Sequence, residues 1–246
     1  MPCRCCRNPV TTCGFLPLYE VRAAGTITQH VLRPPLLLGH RGARASSVPE
    51  NTLASFDLAL AHGCDGFEFD VRLAACGCAI ICHDTEFQGI AVSELYDVKS
   101  LNLATLQHVL AGFSERAFLD IELKVPGLSS ELLVALRENP PQRGYVVSSF
   151  LPEVLSDVST RNGSIPLGFI CDDTKYLHRW QELPVQYVMP HRSLISRELV
   201  RDMHGGGKLV FAWTVNDPAS MQRFADWGVD GIISDKTELL VKTLRL

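Results

Sequence analysis

The sequence lacks several features that would each define a class of protein. No run approaches the roughly 20 apolar residues of a membrane-spanning helix, so no transmembrane segment is expected. The nine cysteines include a single CxxC spacing, Cys3 to Cys6, and no second pair to complete a four-ligand set, which argues against a structural zinc site. The formal net charge is only -4 over 246 residues, and it gives no electrostatic reason to expect a nucleic-acid partner. No GxGxxG motif follows an apolar run, so a dinucleotide-binding sheet is not indicated.

The first 33 residues differ in composition from the rest of the chain. They contain four arginines against one acidic residue and show neither a hydrophobic period nor the apolar core of a secretory signal. We interpret residues 1–33 as a poorly ordered leader, with a targeting segment or a cysteine-acylated segment as alternatives. The odd cysteine count without a secretory signal predicts free thiols and a cytoplasmic location. Residues 34–246 are expected to form one domain.

Short apolar runs alternate with helical stretches from Leu36 onward. Strand alternating with helix predicts a parallel sheet, and eight repeats predict a closed (β/α)8 TIM barrel of the α/β class. An open doubly wound sheet is the alternative. The eight expected strands are 36–39, 66–72, 118–124, 144–149, 166–171, 186–190, 208–215 and 230–234.

The helices and one additional strand complete the expected fold. The apolar run 79–82 begins only six residues after Leu73, which is too near for a parallel crossover. We therefore expect a short β-hairpin insertion after the second strand. Helices are expected to open at Pro49–Thr52 and to cover 103–112, 129–138, 151–161, 173–181, 193–204 and 217–226.

Acidic side chains lie on one face of two neighbouring predicted strands. In the run GFEFDVRL, Glu68 and Asp70 point to the face opposite the apolar residues, and Glu122 alternates in the same way in the next strand. Three carboxylates are hard oxygen ligands and predict a site for one divalent cation, Mg2+ or Ca2+. The alternative is that Asp70 and Glu122 form ion pairs with Arg72 and Lys124 inside the barrel.

Two histidines lie at the two ends of this acidic cluster. His40 ends the first strand and His83 ends the hairpin arm, which favours general acid and base roles in attack on a phosphate ester. Arg41 and Lys124 would supply positive charge for a phosphate oxygen, and Trp213 would wall the pocket. A further histidine, His191, follows the sixth strand and is expected to be structural, with a place at the rim as the alternative.

The sequence resembles the glycerophosphodiester phosphodiesterase family. The shared motifs, in the family's order, are HRG at 40–42, PENT at 49–52, GxDxxExDV at 63–71, HD at 83–84, ELK at 122–124, SSF at 148–150, WTVN at 213–216 and DGIISD at 230–235. The resemblance implies hydrolysis of glycerophosphodiesters to glycerol 3-phosphate and an alcohol. It also implies His40 and His83 as the acid/base pair, Glu68, Asp70 and Glu122 as metal ligands, and Arg41 and Lys124 as phosphate contacts.

The sequence departs from the family pattern in two places, of which only the second bears on the substrate. Cys76-Gly77 stands where an Asp-Gly turn is common, and the segment between Asp84 and Leu103 is short. This short segment would leave the pocket open, so two alternative functions remain. One is a lysophospholipase D-like hydrolase with peripheral lipid contact, and the other is a phosphodiester-binding barrel without turnover. The sequence sets neither the alcohol headgroup nor the oligomeric state.

Overall fold

A ring of eight parallel strands forms the centre of the molecule. The computed structural model describes residues 34–245. The ring closes because β1 pairs with β2 on one side and with β11 on the other, each in parallel register. The strands are β1 (Leu36–His40), β2 (Gly66–Leu73), β3 (Ala79–Ile81), β4 (Glu86–Phe87), β5 (Ile90–Ala91), β6 (Phe118–Leu123), β7 (Tyr145–Ser149), β8 (Leu167–Cys171), β9 (Tyr187–Pro190), β10 (Leu209–Ala212) and β11 (Gly231–Ser234). This closure confirms the predicted (β/α)8 barrel.

Three of the strands lie outside the ring, in an insertion that follows β2. Strand β3 pairs antiparallel with β2, with Val71 opposite Ile81, as expected from the short connection. Strands β4 and β5 form a separate two-stranded hairpin that the sequence pattern did not indicate. Each has only two residues, which is too short for an alternating pattern to be recognised.

Helices connect successive strands of the ring. They are α1 (Leu53–Ala61), α2 (Leu106–Phe113), α3 (Ser129–Glu138), α4 (Pro152–Arg161), α5 (Thr174–Leu177), α6 (Arg197–Gly205), α7 (Pro218–Trp227) and α8 (Thr237–Arg245), with short 3-10 turns at Val92–Glu94, His178–Gln181 and Arg192–Leu194. Within residues 34–245, no helix has both the length and the apolar composition needed to cross a membrane.

Several predicted boundaries were wrong, each for a local reason. Helix α6 begins at Arg197 rather than 193, because the Ser196 side chain accepts a hydrogen bond from the Leu199 amide and caps the helix there. Strand β10 ends at Ala212, the last residue that pairs with β11. Helix α8 was missed altogether. The predicted leader, residues 1–33, lies outside the described residues.

The alternation of β2 separates two environments. Phe67, Phe69 and Val71 face outward and are fully buried against the helices. Phe56 of α1 stacks on Phe67 with ring centroids 4.2 Å apart, and Phe113 of α2 meets Phe67 edge-on at 5.0 Å. The intervening residues of β2 therefore point into the barrel. This outward packing fixes the strand that carries the acidic side chains.

Candidate active site

The parallel register of the strands brings the predicted acidic residues together. His40 of β1 lies opposite Glu68 of β2, and Asp70 of β2 lies opposite Glu122 of β6. Glu68, Asp70 and Glu122 each offer a carboxylate oxygen within 4.8 Å of the others, and all three are buried. The cluster thus lies at the carboxyl ends of the barrel strands, where active sites of this fold occur.

Burial and neighbouring negative charge raise the pKa of three carboxyl groups in this part of the site. Burial raises the pKa of Glu68 well above its usual range, and the charges of Asp70 and Glu122 add to the effect. Burial likewise raises the pKa of Glu122 to about 7, aided by Asp70 and opposed by Lys124. Burial also raises the pKa of Asp120, two residues before Glu122 in β6, to about 7. A bound cation would relieve this unfavourable burial of like charges.

Basic side chains offset only part of this charge. Lys124 Nζ lies 2.6 Å from Glu122 Oε1 and 3.3 Å from Asp70 Oδ1. Arg41 Nε lies 3.2 Å from Asp70 Oδ2, outside hydrogen-bond geometry. These contacts, together with a hydrogen bond from Asn51 Nδ2, outweigh the effect of burial and lower the pKa of Asp70. The predicted ion pairing with Lys124 is present, whereas Arg72 donates to the His83 carbonyl instead.

Two buried carboxylate oxygens of the site remain without a partner. Glu68 Oε1 and Asp120 Oδ2 accept no hydrogen bond from any described residue. Glu68 Oε2 accepts one from the Arg41 amide at 2.9 Å, and Asp120 Oδ1 accepts one from Ser148 at 2.6 Å. A buried carboxylate oxygen without a hydrogen-bond partner costs free energy unless a bound ion or water satisfies it. An oxygen-lined, acidic and partly unsatisfied cluster fits a hard divalent cation.

The HRG turn is held in a conformation that L-residues rarely adopt. Arg41 has φ 54° and Gly42 has φ 80°. A Cβ on Gly42 would lie 2.5 Å from Ser55 Oγ, so only glycine fits. The Arg41 carbonyl accepts bonds from the Asn51 amide and the Ser55 hydroxyl, which stabilise the turn. Strain of this kind is typical of functional sites.

Arg41 and His40 are each held by an acidic partner from a distant segment. Arg41 donates to Glu50 Oε1 at 2.7 Å. His40 Nδ1 lies 2.7 Å from Asp235 Oδ1, while its Nε2 lies 3.8 Å from Glu68 Oε2. Burial would raise the pKa of Asp235, but the hydrogen bond and charge of His40, with a bond from Asn216, lower it to about 2. An ionised Asp235 accepts a hydrogen bond from Nδ1–H, which leaves Nε2 of His40 facing the cavity.

His83 lies on the opposite, more open side of the site. Its side chain is 36% exposed, against 12% for that of His40. Its Nδ1 lies 2.7 Å from Asp84 Oδ1, so it too has a carboxylate partner. The two imidazoles therefore present their second nitrogens from different depths of one cavity.

The cavity between the histidines has a volume of about 240 Å3 and an apolar side wall. Trp213 and Phe150 meet edge-on with centroids 5.5 Å apart, and the Trp213 indole donates to the Met189 carbonyl at 2.8 Å. Seven of the eight predicted site residues line this cavity: His40, Arg41, Glu68, His83, Glu122, Lys124 and Trp213. The eighth, Asp70, lies in the carboxylate cluster. His191 packs edge-on against Trp213 at 5.2 Å and is not among the lining residues.

Sequence reasoning assigned no role to five residues of the site. Asp235, Glu50 and Asn51 hold predicted site residues, whereas Asp120 and Phe150 line the cavity. Asn51 lies in the segment expected to open a helix, but Thr52 caps α1 and Asn51 instead donates a hydrogen bond to Asp70. The motifs could have indicated three of these residues, because Glu50 and Asn51 lie within PENT and Asp235 ends DGIISD.

Comparison with known proteins identifies the family. The family model described as glycerophosphoryl diester phosphodiesterase family matches residues 40–140 and 131–239. A glycerophosphodiester phosphodiesterase of Caldanaerobacter subterraneus is 29% identical over 238 residues, covering 85% of this chain and 98% of that protein. The crystal structure of a glycerophosphodiester phosphodiesterase from Thermotoga maritima is 26% identical, with TM-score 0.74 over 85% of this chain and 98% of that one. A phosphodiesterase from Oleispira antarctica, solved with the product sn-glycerol-3-phosphate, has TM-score 0.73 at 24% identity over 87% and 98% of the two chains. The chain belongs to the glycerophosphoryl diester phosphodiesterase family.

Proposed function

We propose that this protein is a cation-dependent phosphodiesterase that hydrolyses glycerophosphodiesters to glycerol 3-phosphate and an alcohol. The observation that carries the proposal is the buried cluster of Glu68, Asp70 and Glu122, flanked by His40 and His83. Family membership supports the reaction class, and the related proteins above carry the name of this activity. A barrel that only bound phosphodiesters would have no need of two imidazoles at the cluster.

Glu68, Asp70 and Glu122 would hold one divalent cation, Mg2+ or Ca2+. Their carboxylate oxygens lie within 4.8 Å of one another, and Glu68 Oε1 has no other partner among residues 34–245. When bound, the cation supplies positive charge that stabilises the charge developing on the phosphate. Lys124 and Arg41 add fixed positive charge at the rim of the same cluster, where they bind the non-bridging phosphate oxygens.

His40 and His83 divide the proton transfers according to their depth. His40 is the more buried of the two and is oriented by Asp235, so its Nε2 takes the proton of the nucleophile, either water or the glycerol 2-hydroxyl. His83 lies at the open side, where an alcohol can depart, and its imidazolium gives a proton to the leaving oxygen. Trp213 and Phe150 form the apolar wall against which the substrate packs.

We propose a cytoplasmic location, and the thiols support it. In residues 34–245 all five cysteines are free: Cys64, Cys76, Cys78, Cys82 and Cys171. Free thiols persist in reducing compartments, which supports this location.

The experiment is release of glycerol 3-phosphate from glycerophosphocholine, glycerophosphoethanolamine and glycerophosphoinositol. Each substrate is assayed in Mg2+, in Ca2+ and in excess chelator. We expect release in at least one cation and none in chelator, and the relative rates rank the headgroups. Binding of the substrates without any release, in either cation, would favour the non-catalytic barrel instead.

A further inference from the structure

The tip of the hairpin between β2 and β3 carries two cysteines that the proposed reaction does not use. Cys76 and Cys78 flank Gly77 there. The Gly77 amide donates a hydrogen bond to the Ala74 carbonyl at 2.9 Å, and the Ala74 amide donates one to the Cys78 carbonyl at 3.0 Å. These two bonds, with a φ of 81° at Gly77, close a tight turn. Neither thiol takes part in these bonds, so the turn does not depend on the two side chains.

The turn brings the two thiols into contact with each other. A hydrogen bond between the two side chains raises the pKa of Cys78, and burial adds to this effect. The Cα atoms of two residues that flank a third are at most about 7 Å apart in an extended chain, and a turn shortens that separation. A disulfide needs Cα atoms about 4.4–6.8 Å apart. Cys76 and Cys78 are therefore positioned where a disulfide could join them.

This pair differs in exposure from the other cysteines of residues 34–245. Cys64, Cys82 and Cys171 are buried, whereas Cys76 is exposed and Cys78 is half-buried. Burial raises the pKa of Cys64 to about 12 and also raises the pKa values of Cys82 and Cys171. These three stay in the unreactive thiol form, because the thiolate is the nucleophile. Cys76 is the described thiol that a reagent from solvent reaches most easily.

The turn is anchored to the insertion without being covered by it. The Cys76 amide donates a hydrogen bond to the Leu95 carbonyl at 3.3 Å. The Cys78 side chain packs on an apolar cluster that includes Ile80 and Val92. Nothing lies within 4 Å of a Cβ built on Gly77, so the space beside the turn is open. A small reagent can therefore approach Cys76, while packing keeps Cys78 next to it.

We propose that the hairpin tip is a redox modification site, where Cys76 and Cys78 form a reversible disulfide by exchange with a small-molecule disulfide such as oxidised glutathione. The Cys76 thiolate attacks one sulfur of the reagent, forms a mixed disulfide and releases one glutathione thiolate. The Cys78 thiolate then attacks the Cys76 sulfur, closes the protein disulfide and releases the second glutathione thiolate. Two electrons pass to the reagent, and the two thiol protons end on the two glutathione molecules.

The disulfide is expected to be reversible rather than structural. The entropic gain from a disulfide grows with the number of residues in the loop that it closes, and this loop has a single residue between the two cysteines. Exposed disulfides are also readily reduced. A reducing compartment would therefore keep the pair as thiols until an oxidant accumulates, in agreement with the proposed cytoplasmic location. The site is independent of the proposed phosphodiesterase activity.

The first test is mass spectrometry of the full chain after equilibration in buffers of reduced and oxidised glutathione. The remaining thiols are alkylated under denaturing conditions, and trypsin then releases the peptide 73–99, which contains Cys76, Cys78 and Cys82. In oxidised glutathione we expect this peptide to lose two hydrogen atoms and to carry one alkyl group, on Cys82. Dithiothreitol added before alkylation should give three alkyl groups instead.

Fragmentation of the same peptide places the bond. A disulfide between Cys76 and Cys78 leaves the backbone between Ala79 and Cys82 free to fragment, whereas a bond to Cys82 protects it. Three alkyl groups in every buffer would overturn the proposal. A disulfide that joins Cys82, or a cysteine of residues 1–33, to either thiol of the turn would overturn it as well.

Single substitutions separate the two steps of the exchange. Cys78→Ser should accumulate glutathione on Cys76, because the second step cannot occur. In the wild type the closed disulfide should exceed the mixed disulfide by about tenfold or more, since the second thiol is held beside the first. Cys64→Ala removes a buried cysteine and should keep the wild-type result. If the wild type and Cys78→Ser retain equal amounts of glutathione on Cys76, the disulfide does not close and the proposal is wrong.

Discussion

The Nδ1 atom of His40 lies 2.7 Å from the Oδ1 atom of Asp235, although the two residues are 195 positions apart in the sequence. Closure of the barrel brings them together, because β1 and β11 are neighbours and each residue lies at the end of its strand. Asn216 bonds the other Asp235 oxygen at 2.6 Å and holds the carboxylate in place. This pair sets the orientation of one proposed catalytic imidazole.

Replacing Asp235 by Asn should lower kcat by about 10- to 100-fold with little change in KM. The Asn side chain carries no negative charge to hold the Nδ1–H hydrogen bond of His40. The imidazole therefore loses its fixed tautomer and orientation. Steady-state kinetics with glycerophosphocholine would measure this effect. Asp202→Asn, at an exposed position of α6, is the control and should match wild type. An increase in KM alone would instead place Asp235 in substrate binding.

The same carboxylate should make folding stability depend on acid. The pKa of Asp235 is lowered to about 2, below the value of about 3.9 for a free aspartate. Its contribution is therefore full above the unfolded pKa and is lost as pH falls through the folded one. With allowance for partial solvation, we expect about 1–2 kcal/mol. Urea unfolding should show wild type more stable than Asp235→Asn at pH 6, with the gap closing toward pH 3. A gap that does not change with pH would contradict this.

Divalent cation should stabilise the protein against unfolding, because the native carboxylate cluster binds it and the unfolded chain does not. At one hundred times the Kd the gain is about 2.7 kcal/mol, or roughly 5–10 °C in Tm for a domain of this size. Thermal unfolding in Mg2+, Ca2+ and chelator would measure the shift. Glu115→Gln, an exposed substitution, should retain the shift, and Glu122→Gln should lose most of it. Equal shifts in both variants would place the cation elsewhere.

Gly42→Ala should destabilise the fold by about 3 kcal/mol or more and reduce activity. The added Cβ meets both a positive φ and Ser55 Oγ at 2.5 Å, and relaxing it would displace Arg41. Gly77→Ala is a matched control, with φ 81° and nothing within 4 Å of the added Cβ. It should cost about 1 kcal/mol and leave turnover unchanged. Similar urea midpoints for the two variants would show that the Ser55 contact does not constrain the turn.

Strand periodicity predicted much of the site from the sequence. Because side chains alternate along a strand, assigning Phe67 and Phe69 to the helical layer fixed Glu68 and Asp70 in the barrel interior. The parallel barrel rule then placed Glu122 beside them, as its register opposite Asp70 bears out. These inferences use local pattern and one topological rule, and both hold here.

The missed features depend on contacts that no local pattern encodes. Asn51 bonds Asp70 only because the PENT segment folds back over the strand end, and Asp235 meets His40 only after the barrel closes. Helix α8 is the exception, since Leu240, Val241 and Leu244 recur at helical spacing directly after the DGIISD motif and pack on the core, so its local signal was present. The insertion at 84–103 has strands of two residues, which are too short to show an alternating pattern.

The most direct test of the account is the rate of glycerol 3-phosphate release by Glu68→Gln, measured with the preferred substrate across a range of cation concentrations. Gln keeps the size of the side chain but removes the charge that the cluster needs to hold a cation. The account predicts a loss of about 100-fold or more that added cation does not restore at ordinary concentrations, with folding retained. Turnover within about threefold of wild type would contradict the account, because losing a group at a metal site costs roughly tenfold or more.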